Sequence, residues 1–346
     1  MASTSLSPSS SDINDTVQGT SVHQTLVIIN YCIGSLGLIG NILVMIVLSS
    51  SSTLKKIRTN KLIMNQSIID FLGSLFLILT TAINPDIQGN FAYCVIWVTK
   101  LPFWALMVSS TYSLLLITIE RYLGVVHSSW YKRKITDRHM IFSISMVLIL
   151  VIVKTSSHSI SSSNIDLDGS CMVYSVYSSL NVKRAVGVFI FTVNFLIPIV
   201  VHVFCYSRMF YTLWICNKNG VDICMVNEGD EDNLISNRKE MRNVVVTLIT
   251  ITVCFVSCWF CNQFYFLLSH FSYQFEYTSN FYHFTVIAVF CNCCINPIVY
   301  ALKYKQFQEH AKKIICSFRK DKTAKRYERK IDSGSTIYPS GIVCGT

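Results

Sequence analysis

The chain has 346 residues, of which 51% are hydrophobic and only 14% charged, and its mean hydropathy is +0.45. A soluble globular surface does not tolerate that balance, so lipid is the solvent for much of the chain. The formal charge of +10 then reads as membrane topology and contact with anionic lipid, and it calls for no nucleic-acid partner.

An α-helix needs roughly 20 apolar residues to cross a hydrocarbon core of about 30 Å. Such stretches occupy residues 26–48, 60–83, 97–126, 139–158, 186–214, 243–269 and 281–302. The fourth is the weakest, because the run from Met140 to Val153 meets Lys154 and then the Ser-rich Thr155 to Ser163. Serines that bond back to their own helix carbonyls would carry it across; otherwise the count is six. The 29 Lys and Arg residues decide between the two, since cytoplasmic loops retain positive charge. Residues 1–54 hold none, whereas Lys55, Lys56, Arg58 and Lys61 follow the first span and Arg121, Lys132, Arg133, Lys134 and Arg138 follow the third. Arg208, Lys218, Arg238, Lys239 and Arg242 lie between the fifth and sixth, and only Lys100, Lys154, Lys183 and Arg184 fall on the other side. The N-terminus is therefore expected outside and the C-terminus inside, which requires an odd number of crossings.

The expected architecture is an all-α membrane fold, a seven-helix transmembrane bundle at the plasma membrane. Residues 1–25 form an outer segment, 26–303 the bundle, 304–316 a surface helix and 317–346 a disordered cytoplasmic tail. Residues 1–25 lack the basic start and apolar run of a cleavable signal, so the first span is expected to act as the signal. Asn14-Asp15-Thr16 is a glycosylation sequon on the outer segment; Asn65-Gln66-Ser67 also matches but lies where the second span begins on the cytoplasmic side. Of 14 cysteines, only Cys94 and Cys171 lie clearly in the oxidising compartment, which predicts one bridge between them. Cys258-Trp259-Phe260-Cys261 and Cys291-Asn292-Cys293-Cys294 have metal-like spacing, but at bilayer depth small packing residues are the better reading.

Polar groups inside spans are costly in lipid and mark candidate sites. Asp70 lies well inside span two, with Asn41, Ser110, Asn292 and Asn296 at comparable depth. One carboxylate among neutral oxygens suits a hard cation of sodium type; unrelated interhelical hydrogen bonds are the alternative. Glu120-Arg121-Tyr122 closes span three, and its acid and guanidinium either neutralise one another at rest or serve as ordinary membrane-edge charges. Pro198 and Pro297 mark kinks in spans five and seven, as hinges or as tolerated lipid-phase prolines. Beyond Tyr300, the residues Tyr304, Phe307, Ala311, Ile314 and Ile315 recur at helical spacing among basic residues, as in a helix lying on the anionic leaflet. Cys316 at its end is a candidate for palmitoylation.

These residues resemble the rhodopsin-like (class A) G-protein-coupled receptors, in the family's order from Gly40 to Phe307. Gly40-Asn41, Asp70, Glu120-Arg121-Tyr122, Pro198 with Tyr206, Phe255 with Cys258-Trp259, and Asn296-Pro297-Ile298-Val299-Tyr300 followed by Phe307 are similar to its signatures. The resemblance implies that Asn41, Asp70, Ser110, Asn292 and Asn296 form a sodium and water pocket. It implies that Arg121, Tyr206 and Tyr300 rearrange as span six swings outward to admit a heterotrimeric G protein, and that Trp259 floors the ligand cavity.

Several positions depart from the pattern. Cys261 stands where span six normally has proline, and span four lacks its usual tryptophan. Cys94 precedes Arg121 by 27 residues, two more than is common, with Pro102 between, which predicts a bulge where span three begins. Met241 replaces the acid that clamps the span-three arginine in many relatives, and the adjacent Glu240 faces about 100° away. A weak clamp and appreciable basal activity are expected.

Phe103 takes the place of the amine-binding aspartate, and residues 281–302 contain no lysine for a retinal Schiff base. A peptide, first of all a neuropeptide, or a small lipid-like or organic ligand remains. Trp97, Phe103, Trp104, Trp259, Gln263 and Tyr282 are its expected contacts, unless they pack against lipid or one another. A transporter would show internal repeats and paired interrupted helices, and an intramembrane hydrolase a second carboxylate near Asp70; neither is present. No resident cofactor and no catalytic group is expected. Ser333, Ser335 and Thr336 are candidate phosphorylation sites for arrestin recruitment, and an acidic run spans Glu228 to Asp232.

Overall fold

A computed structural model describes residues 10–83, 90–172, 177–219, 231–271 and 279–317, without the side chains of 10–23, 216–219, 231–238 and 240. The Asn14 and Glu240 side chains, the acidic run of 228–232, and Ser333, Ser335 and Thr336 lie outside the described residues.

Seven helices are long and apolar enough to cross a membrane. They are α1 (Ser10–Ser50), α2 (Arg58–Ile83), α3 (Leu101–Val126), α4 (Asp137–Ser161), α5, α6 (Glu231–His270) and α7 (Asn280–Lys303). Helix α5 is composite: Leu180–Phe191, a π turn at Thr192–Leu196, then Ile197–Asn219. After an extended Tyr304 the chain turns into α8, residues 305–317. The fourth span does continue through its serine-rich end. Thr155 donates to the Val151 carbonyl at 2.7 Å and Ser162 to that of His158 at 2.6 Å, so these two hydroxyls bond back to the helix. Ile141, Phe142, Ile149, Leu150, Ile152 and Val153 stay exposed on α4, as lipid-facing residues do.

The third span begins later than its apolar stretch. Cys94–Val98 forms a separate π turn, Lys100 adopts a left-handed conformation with φ 55°, and α3 starts at Leu101 with Pro102 in its first turn, where a missing amide costs nothing. That break absorbs the two extra residues between Cys94 and Arg121. Cys94 is bridged to Cys171, with Cα atoms 5.6 Å apart. Cys171 belongs to a short hairpin in which β1 (Asn164–Ile165) pairs antiparallel with β2 (Cys171–Met172), Ile165 opposite Cys171. Gly169 closes its turn at φ 81°, a conformation that glycine adopts without strain.

With lipid outside, the helices are held by close packing and polar links more than by hydrophobic transfer. The interior is filled by Val44, Leu77, Met107, Ile117, Leu248 and Phe255, all nearly inaccessible. α1 meets α7 at Gly40, where an added Cβ would lie 2.9 Å from the rigid Pro297 ring. Helix α6 runs through Cys261 without a break, and Pro297 is the proline inside α7. Pro198 is the second residue after the α5 π turn, so the turn accommodates the helical hydrogen bond that its ring cannot donate.

Gly40→Leu should push α1 from Pro297 and destabilise the bundle by about 1–3 kcal/mol, read as a lowered thermal midpoint of the detergent-purified protein. Gly124→Ala, whose Cβ would meet the Tyr131 ring at an ordinary 3.9 Å, should leave the midpoint unchanged. Equal midpoints for both variants would refute this packing.

Candidate functional site

Three polar regions follow one another along the bundle axis. At the Cys94 end, α3 to α6 surround a cavity. Trp104 and Val108 come from α3, Lys154 and His158 from α4, Lys183 and Asn194 from α5, and Trp259, Gln263 and His270 from α6. Trp259 is 1% exposed and packs against Phe255, their ring centroids 5.9 Å apart. Lys154 donates a hydrogen bond to Asn194 Oδ1, which joins α4 to the π turn of α5. The α5–α6 wall is tight: a Cβ on Gly187 would lie 2.5 Å from His270 Cβ.

Below the cavity lies Asp70, fully buried on α2. Its carboxylate accepts from Ser110 Oγ of α3 and Asn296 Nδ2 of α7, each at 2.7 Å, and from Gln66 Nε2 at 3.1 and 3.2 Å. Gln66 Nε2 also lies 2.5 Å from Ser110 Oγ, so this amide spans carboxylate and hydroxyl. Asn41 donates to the Cys293 carbonyl at 3.0 Å and ties α1 to α7 in the same layer, where Asn292 is also buried. Two buried amide oxygens here, Gln66 Oε1 and Asn41 Oδ1, accept no hydrogen bond from the described residues.

At the opposite end, Arg121 forms a two-pronged pair with Glu120: Nε to Oε2 at 2.6 Å and Nη2 to Oε1 at 2.7 Å. Two further donors hold the acid, Tyr131 Oη at 2.5 Å and Thr59 Oγ1 at 2.7 Å. Burial and the neighbouring Glu120 push the Tyr131 phenol up to about 12, so it stays a donor at physiological pH. Among the described residues, Arg121 has no other ion pair; Met241 of α6 faces its surroundings. Tyr206 Oη lies 3.0 Å from Thr118 Oγ1 and 2.8 Å from Thr252 Oγ1, and donates to the Leu248 carbonyl at 3.2 Å, joining α3, α5 and α6. Tyr300 Oη is buried with no partner among the described residues. Asn243 completes this end: its Nδ2 donates to the Lys303 carbonyl at 2.9 Å and its Oδ1 accepts from the Lys305 amide at 3.1 Å, fastening α6 to the α7–α8 junction.

The expected ligand contacts divide. Trp104, Trp259 and Gln263 line the cavity; Trp97, Phe103 and Tyr282 do not. Trp97 sits in the π turn ahead of α3. Phe103 is 1% exposed because its ring packs edge-on against Phe290, 4.8 Å away. Tyr282 packs on Tyr265 at 5.4 Å. Of the expected sodium residues, Ser110 and Asn296 bond directly to Asp70, whereas Asn41 bonds to the Cys293 carbonyl. Sequence reasoning missed Gln66, although it lies one helical turn before Asp70 on the same face. It also did not place Lys154 in the ligand cavity, reading it as the end of the apolar run of span four and as an outer charge; its position inside a span was the available signal. Tyr122 pairs with His127, 3.2 Å away, and its ring packs on Phe204 of α5 at 5.8 Å. In the cysteine clusters, Cys293 Sγ lies 3.4 Å from Met107 Sδ and Cys294 donates to the Cys291 carbonyl. Cys316 lies half-buried at the end of α8, on which Phe307 faces the bundle.

The chain is 27% identical over 293 residues to galanin receptor 2a of Danio rerio, covering 82% of this chain and 76% of that one. It is 26% identical over 302 residues to somatostatin receptor type 2 of Mus musculus, covering 84% and 77%, and 25% identical over 298 residues to the pyroglutamylated RF-amide peptide receptor of Rattus norvegicus, covering 82% and 67%. Residues 40–300 match the family described as 7 transmembrane receptor (rhodopsin family), and they contain the cavity, the Asp70 cluster and the Glu120–Arg121 pair; the chain belongs to that family.

Proposed function

We propose that the chain is a plasma-membrane receptor for an extracellular peptide and activates heterotrimeric G proteins through outward movement of α6. The observation that carries this reading is the pairing of an enterable cavity floored by Trp259 with a separate closed latch around Arg121 at the other end of the same helices. The relatives named for galanin, somatostatin and an RF-amide peptide support the peptide class. The Lys and Arg distribution supports an outward Cys94 end and an inward Arg121 end, and a disulfide at the Cys94 end suits an oxidising exterior. Transmission is conformational and involves no covalent step. Neuropeptides applied to intact cells should raise nucleotide exchange on the G protein above that of cells lacking the receptor. A response confined to lipid or organic ligands would overturn the peptide class, and no response to any ligand class would overturn the receptor reading.

Opening α6 must break the Asn243 bonds to the α7–α8 junction and rearrange Tyr206. Since no acid of α6 among the described residues pairs with Arg121, these neutral bonds hold the resting state, and each contributes about 0.5–1.5 kcal/mol. Asn243→Leu should therefore raise ligand-free exchange several-fold. Tyr131→Phe, which removes one donor from Glu120, should raise it less. Unchanged basal exchange in Asn243→Leu at equal surface abundance would remove Asn243 from the latch.

The Asp70 cluster is proposed to take sodium in the resting receptor. Asp70 and Ser110 would supply carboxylate and hydroxyl oxygens, and Gln66 and Asn41 hold unmatched amide oxygens. A bound ion would stabilise the closed bundle, because Asp70 is shared by α2, α3 and α7. Replacing potassium by sodium at constant ionic strength should lower basal exchange, and Asp70→Asn should abolish the difference; a sodium effect that survives in Asp70→Asn would exclude the site. The same reading includes glycosylation at Asn14, a palmitate on Cys316 that anchors α8 to the inner leaflet, and arrestin recruitment by the phosphorylated tail. Mass spectrometry of the purified receptor tests the modifications, and loss of arrestin recruitment in a Ser333, Ser335 and Thr336 alanine variant tests the last.

A further inference from the structure

We infer that the cavity at the Cys94 end takes a carboxylate, an inference that rests on the reading of the chain as a peptide receptor. Lys154 and Lys183 line it together with His158 and His270, and among the described residues no Asp or Glu lines it. Lys154 lies where the apolar run of α4 ends, inside a membrane-spanning helix in which an ammonium is costly unless an anion or water meets it. Its hydrogen-bond partner is a neutral amide oxygen, Asn194 Oδ1, and no carboxylate among the described residues pairs with it. A half-buried cation that faces open space, with no anion beside it among the described residues, calls for one from outside.

The remaining walls fit the same group. Ser159 Oγ, Trp259 Nε1 and Asn262 Oδ1 are buried side-chain atoms of the lining that have no hydrogen-bond partner among the described residues, and each of these residues is 1% exposed. Two of the three are donors, so a carboxylate paired with Lys154 has neutral hydrogen bonds available for its remaining lone pairs. One deep lysine with single hydroxyl and indole donors matches a group of charge −1. Trp104, Trp259 and Phe266 supply an apolar wall for the residue that bears it. The peptide's carboxylate comes either from its free C-terminus or from an Asp or Glu side chain.

Four dipeptide probes separate these cases: N-acetyl-Ala-Phe with a free acid, N-acetyl-Asp-Phe-amide, N-acetyl-Ala-Phe-amide, and Ala-Phe-amide with a free amine. Each is titrated against the detergent-purified full-length receptor, with thermal unfolding as the readout. At least one acid should bind about tenfold more tightly than the neutral dipeptide, equivalent to about 1.4 kcal/mol, and the stronger of the two identifies the source. Lys154→Gln should erase that gap and Lys154→Arg should keep it. If Lys154→Gln does not fold, Lys183→Gln should at least narrow the gap. Neutral or cationic probes that bind as tightly as the acids, a gap that persists in Lys154→Gln (or is undiminished in Lys183→Gln when that variant carries the test), or no binding by any probe at millimolar concentration would overturn the inference. Receptor function is read separately. Peptide-driven nucleotide exchange without an acid preference overturns the carboxylate site alone, and an acid preference without exchange by any peptide overturns the receptor reading alone.

Discussion

Asp70 is a carboxylate sealed inside a bundle whose outer surface meets lipid, and the relative placement of its helices follows from satisfying it. A fully buried carboxylate in the hydrocarbon region is costly unless donors meet its lone pairs. Ser110 brings α3, Asn296 brings α7, and Gln66 fills the remaining side from α2 itself. Asn41 then draws α1 onto the α7 backbone in the same layer. A contact network of this kind has few alternative arrangements, because moving one helix strands a buried charge. Through Asp70, α3 and α7 share one hydrogen-bonded carboxylate between the cavity and the far end.

The other two regions follow a similar economy. The Arg121 guanidinium is neutralised by the residue next to it in sequence, and that acid is itself held by Thr59 and Tyr131, so the pair costs little to bury and needs no partner from α6. Closure of α6 then depends on neutral hydrogen bonds at Tyr206 and Asn243, which break more cheaply than a buried ion pair. Among the described residues, the bundle is joined by neutral hydrogen bonds at this end and by a buried carboxylate in the middle.

Hydropathy and charge asymmetry made the seven spans and the Cys94–Cys171 bridge legible in the sequence, because lipid imposes a length and a composition on every crossing. The switch residues were legible for a related reason: polar groups stand out against an apolar background. What the sequence hid depends on backbone irregularity and on distant partners. Phe103 occupies a position that suggests a ligand contact, yet the break at Lys100 delivers its ring to Phe290 instead. Asn243 looks like one more polar residue near a membrane edge until the α7–α8 junction is placed beside it. Lys154 was visible as an outer charge, but its place in the cavity wall depends on the packing of α4 against α5, which the charge count does not carry.

The π turn at Thr192–Leu196 has a further consequence. A π turn amounts to one residue inserted into an α-helix, so the faces that α5 presents above and below it are set separately. Above it, Lys183 and Ile190 face the cavity; below it, Tyr206 reaches Thr118 and Thr252. Substitution, or even a change of register, in the upper half need not rotate the lower half, because the irregular turn takes up the difference. A change in what the upper half of α5 presents to the cavity can therefore leave Tyr206 and its contacts where they are.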